Sequence, residues 1–188
     1  MAASIDSLQP WLDQTLFSVK FLSSFMHSKY GWPTCESIHF LGLSLLIGAV
    51  GMFDLRLLGL APRIPIAALH RLVPWGVAGY LINVTTGLMF LVTEPNQYIY
   101  NPSFHFKILF MGLAGINVAV FYLAVFGRVK KLAPGEPTPP AARIIGGASL
   151  LLWIGVIIAG RLLTFYRPIE CTSESRTFPF YCVPPRTR

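Results

Sequence analysis

The stretch ESIHFLGLSLLIGAVGMFDLRLLGL, residues 36–60, decides the fold. Between His39 and Asp54 it carries no ionisable side chain. With its flanks it supplies the ~20 apolar residues needed to cross ~30 Å of hydrocarbon. Three more runs of the same kind follow, and together the four cover about residues 34–58, 73–93, 104–127 and 143–166. The connections LAPRIP, EPNQYIYNP and KLAPGEPTPP are rich in Pro, Gly and Asn and break the runs cleanly. The expected fold is an all-α membrane protein, a four-transmembrane-helix antiparallel bundle preceded by an amphipathic interfacial helix.

Composition leads the same way. Of 188 residues, 54% are hydrophobic and 12% charged, and the mean hydropathy is +0.59. A soluble domain carries about 25% charged residues, because water must wet its surface. Lipid must therefore cover part of this one. The net charge of +7 is spread over the ends of the apolar runs rather than gathered into a patch, so a nucleic-acid partner is not expected. Small residues, Gly42, Gly79, Gly115 and Gly146 among them, recur inside the runs and suit close helix–helix approach.

Residues 1–33 form the N-terminal segment. Leu8, Leu12, Leu16, Val19, Leu22 and Met26 recur at helical spacing without a continuous apolar run, which predicts a helix lying in the headgroup plane. Asp6 and Asp13, and the lack of a basic leader, argue against a cleavable signal. The tail, 167–188, holds Cys171 and Cys182, a pair that makes sense as a disulfide in an oxidising compartment. Basic residues alone leave the orientation tied. With the cysteines added, both termini and the second loop are expected outside, in the periplasm of a bacterial inner membrane.

Ionisable groups at membrane depth are costly and mark function by default. Towards the outer side stand Glu36, His39, Glu94, His105, Lys107 and Arg161. Three readings of this rim stay open. His39 and His105 can serve as axial ligands of a b-type haem, with Arg161 and Lys107 on its propionates. Glu36, His39 and His105 can instead hold copper or zinc. Or the charged groups, Glu94 included, pair to lock the bundle. Towards the inner side, Asp54 with Arg56 or Arg71 is expected as a structural ion pair, and His70 as an interfacial residue. Asn83, Thr85, Thr86 and Asn117 at mid-span offer interhelical hydrogen bonds or a quinone or proton path.

Residues 36–60, together with LVPWGVAGYLINVTTGLMF (72–90), FHFKILFMGLAGINVAVFY (104–122) and SLLLWIGVIIAGRLL (149–163), resemble an uncharacterised family of small bacterial four-helix integral membrane proteins. That family is distantly like the copper-resistance D and cytochrome b561-type bundles. The resemblance covers about 34–166, and its signature positions fall on Glu36, His39, Asp54, Arg56, Lys107, Asn117 and Arg161. It implies an inner-membrane location and favours haem or copper.

No nucleophile–base arrangement, phosphate loop or dinucleotide fingerprint is present, so catalysis by this chain alone is not expected. The chain reads as a small subunit of a larger redox or respiratory membrane complex, carrying haem b near the periplasmic face for electron transport. Its partners would be the lipid bilayer, other subunits or further copies of itself, and a quinone or periplasmic redox protein. The alternatives are a structural or assembly subunit without cofactor, and a copper-handling protein.

Overall fold

The computed structural model describes residues 17–170 and 182–183. Helix α1 (Phe17–Met26) leads into α2 (Gly31–Leu58), the first of four helices long and apolar enough to cross a membrane. The second, Ile66–Thr93, is α3 (Ile66–His70) running on into α4 (Val73–Thr93). After the short α5 (Pro95–Ile99) comes the third, Pro102–Val129, made of α6 (Pro102–Val120), a π-helical turn (Phe121–Val125) and α7 (Phe126–Val129). The fourth is α8 (Pro140–Phe165). The expected all-helical bundle of four spans is what the chain forms.

Spans three and four begin earlier than hydropathy predicts. Pro102 and Pro140 occupy their first helical positions, where a missing N–H costs nothing. Asn101 caps span three by accepting the Ser103 N–H at 3.0 Å. Its side-chain amide also donates to the backbone carbonyls of Leu163 and Tyr166, tying the start of span three to the end of span four. Span one stops at Gly59, whose φ of +93° is left-handed and suits glycine; its N–H folds back on Arg56 O at 3.0 Å.

The spans pack in the order two, one, four, three. Spans one and two cross at Gly42 and Gly79: a Cβ on Gly79 would lie 2.5 Å from the Gly42 carbonyl oxygen. Spans one and four cross at Gly146, where a Cβ would lie 2.8 Å from Leu57 Cβ. Close backbone approach of this kind supplies the packing energy of helices in lipid. By contrast, a Cβ on Gly115 would meet nothing within 4 Å. Spans two and three do not pack along their length. At one end His70 of span two stacks on Phe126 (4.9 Å) and meets the Tyr122 hydroxyl at 3.3 Å; at the other, Tyr98 of the connecting α5 sits edge-on to Phe104 at 5.7 Å.

The end bearing α1, α5 and the C-terminal segment is called the tail side, and the end bearing the connections 59–65 and 130–139 the loop side. The part of the expected interfacial helix before residue 17 lies outside the described residues. In α1 the expected apolar face is present, since Leu22 and Met26 pack with Cys35, Trp32, Phe90 and Tyr98. That face covers the tail side of spans one and two. Beyond span four, β1 (Ile169–Glu170) and β2 (Cys182–Val183) form a short parallel pair with Ile169 opposite Cys182. Cys171 lies outside the described residues, and the expected Cys171–Cys182 bridge with it.

Candidate functional site in two cavities beneath an open seam

The gap between spans two and three leads into two cavities, each of about 350 Å³ and mostly apolar. Leu46, Tyr80, Met111 and Trp153 line both, so the two meet at mid-bundle.

The tail-side cavity gathers Glu36 and His39 from span one, Asn83 from span two, Lys107 from span three, Arg161 from span four, and Tyr98 from α5. Four of the residues expected on the outer rim therefore converge. His39 is fixed by Thr86. The Thr86 hydroxyl donates to Ile82 O at 2.6 Å, so at 2.7 Å from His39 Nδ1 it accepts, and the imidazole carries its proton on Nδ1. The Nε2 lone pair is left available. Lys107 lies with its ammonium 3.9 Å from where a Cβ on Gly160 would stand, so the small residue on span four makes room for it. Arg161 places its guanidinium 4.7 Å from the Phe165 ring centre, at the rim. Burial holds the Tyr98 phenol well above its usual range, with the Cys35, Glu36 and Glu94 charges adding to the effect. Tyr98 is thus a permanent hydrogen-bond donor.

His105 does not join them. It is exposed on the outside of span three, edge-on to Phe104 at 6.3 Å, and does not line the cavity. Among the described residues no three His, Cys, Asp or Glu side chains gather as a metal-binding group, so Glu36, His39 and His105 do not form a common ligand set. A bis-histidine haem needs two imidazoles facing one space, and only His39 faces this one. Helical spacing shows that His105 and Lys107, two residues apart, point to opposite sides of span three, but not which side faces the cavity. Glu94 Oε1 lies 3.4 Å from His27 Nε2, beside the rim, and the two form an ion pair when His27 is protonated.

The loop-side cavity is lined by Asp54, Asn117 and Ser149 among aromatic side chains. The expected partnership of Asp54 with Arg56 or Arg71 is not formed. Arg71 is exposed, and Arg56, only 1% exposed, turns towards the connecting loops. It donates from Nε to Ile64 O at 2.8 Å and from Nη1 to Thr138 Oγ1 at 2.9 Å. Asp54, 5% exposed, leaves Oδ2 without a partner in the protein, and Ser149 of span four lines the same cavity. Trp153 Nε1 is likewise buried and unpartnered. Of the mid-span polar groups, Asn117 donates across to Ile145 O of span four at 3.1 Å, whereas Asn83 bonds within its own helix to Gly79 O.

Sequence reasoning missed Tyr98, Ser149 and Trp153. Trp153 carried a usable signal, because it sits mid-span instead of in an interfacial aromatic belt. No protein-family model, curated protein or solved structure matches the chain, and the function is read from its own residues.

Proposed function

We propose that this chain is a small integral membrane subunit of a redox assembly that receives the ring of a lipid-soluble quinone in its tail-side cavity, on the periplasmic side of a bacterial inner membrane. One observation carries the reading: oriented donors and an oriented acceptor converge on an apolar cavity that faces lipid through a seam. A quinone is an apolar molecule whose ring oxygens need hydrogen-bond donors, and it travels within the bilayer. Lys107, Tyr98 and Arg161 can donate to those oxygens. In the quinol form the same oxygens become donors, and His39 Nε2 and Glu36 can accept from them. A site for both redox forms needs both kinds of group. The small polar share of the lining matches sites that bind by shape and orient by a few polar groups.

The test is binding by the purified full-length chain in nanodiscs. Quinone should be recovered from the lipid extract, and added short-chain quinone should bind saturably. Lys107→Met should weaken that binding by about tenfold, as loss of a charge-assisted hydrogen bond implies. Binding that is absent, or unaffected by Lys107→Met and His39→Leu together, would sink the reading. A b-type α-band after dithionite reduction, lost in His39→Ala, would restore the haem alternative. Without quinone or haem, what stands is a subunit that braces a neighbour.

A further inference from the structure

The loop-side cavity differs from the tail-side cavity in charge, because no Lys or Arg lines it. Its charged group is the carboxylate of Asp54, whose Oδ2 is desolvated and unmatched. Around it stand Phe53, Tyr80, Phe121, Tyr122 and Trp153. Phe121 and Tyr122 both line the cavity and open the π-helical turn Phe121–Val125. Such turns inside α-helices recur at functional sites.

An unpaired carboxylate within an aromatic wall suits one class of ligand. A hard metal ion takes about six to eight oxygen ligands, and this lining is mostly apolar. A lipid tail would fill the space but leave Oδ2 unmatched, at the full desolvation cost. A cation with an apolar body answers both needs, as aromatic faces attract positive charge and the carboxylate neutralises it. The tail-side cavity sets Glu36 against Lys107 and Arg161, so it offers the same molecule no unbalanced carboxylate.

We propose that the loop-side cavity binds a lipophilic monovalent organic cation, its charged centre against the Asp54 carboxylate and its body among Phe53, Tyr80, Phe121, Tyr122 and Trp153. It enters from the bilayer between spans two and three. The site shares no charged residue with the proposed quinone site, so either proposal can fail without the other.

The experiment measures equilibrium binding of radiolabelled methyltriphenylphosphonium to the full-length chain in nanodiscs, with empty nanodiscs subtracted. Saturable binding is expected, with displacement by excess unlabelled cation but not by the near-isosteric neutral triphenylphosphine oxide. Asp54→Asn should weaken it by about tenfold or more, and Asp54→Glu should retain it. Gly115→Leu keeps the carboxylate and places a side chain in the cavity where a Cβ meets no atom within 4 Å, so it should also abolish binding. Should Asp54→Asn fail to elute as a monodisperse protein, Gly115→Leu decides. The proposal is overturned if the wild-type chain shows no saturable binding. It is equally overturned if the phosphine oxide displaces the cation at the same concentration, or if neither Asp54→Asn nor Gly115→Leu weakens binding.

Discussion

Asp54 and Trp153 line one cavity from adjacent spans, and each carries a buried polar atom, Oδ2 and Nε1, that finds no partner in the protein. Buried polar atoms are rarely left so. A buried carboxylate oxygen without a partner costs stability rather than supplying it. Asp54→Asn is therefore expected to leave the unfolding temperature in detergent unchanged or raise it by a few degrees. Had Asp54 been one half of a buried ion pair, removing its charge would cost about 3–5 kcal/mol. Differential scanning fluorimetry distinguishes the two, and a large fall in Tm contradicts the unpaired assignment.

Arg56 also leaves one buried nitrogen, Nη2, without a partner in the protein, but its other two are bonded. Its guanidinium joins the two loop-side connections through Ile64 O and Thr138 Oγ1. Arg56→Ala should cost about 3 kcal/mol, in the range of hydrogen bonds made by a charged group, and Thr138→Val about 1 kcal/mol. Limited proteolysis between residues 130 and 139 should accelerate in both variants, more in the first. Equal, wild-type cleavage in both would remove the clasp.

Glycine substitutions should separate the tight crossings from the open seam. A leucine at Gly79 must displace the backbone of span one, since even a Cβ would lie 2.5 Å from Gly42 O. Gly79→Leu is expected to destabilise by more than the about 1–3 kcal/mol of ordinary overpacking. Gly115→Ala should be silent. The readout is the yield and Tm of monodisperse protein; a silent Gly79→Leu would contradict the crossing.

Much of this was legible in the sequence, and what was not has a common cause. The four spans follow from hydropathy, and the convergence of Glu36, His39, Lys107 and Arg161 follows from their shared depth. Depth alone could not tell that His105 points outward while Lys107, two residues on, lines a cavity. Nor could it tell that Arg56 serves two loops: its partners are a backbone carbonyl and a threonine hydroxyl, neither of which draws the eye as a carboxylate does. The open seam was invisible for another reason. Short connections predict that neighbours in sequence pack together, yet spans two and three meet chiefly at one end, where His70 touches Tyr122 and Phe126. At the other end it is the connecting α5 whose Tyr98 meets Phe104.

The tail cysteines give a chemical test of the expected bridge. The chain has three cysteines, and Cys35 is a buried free thiol. Denatured without reductant, it should take up one alkylating group, at Cys35, and three after reduction. Three labels before reduction would remove the Cys171–Cys182 bridge, and with it the main support for a periplasmic tail side.

The tail-side cavity as a quinone site is tested most directly by photolabelling. An azido-quinone irradiated with the nanodisc-embedded chain should leave its adducts, mapped by mass spectrometry, on residues lining that cavity, in the segments 83–91 and 104–111. Excess unmodified quinone should suppress them. Adducts that resist competition and scatter over outward-facing side chains such as Leu123 and Leu151, 88% and 72% exposed, would contradict the assignment.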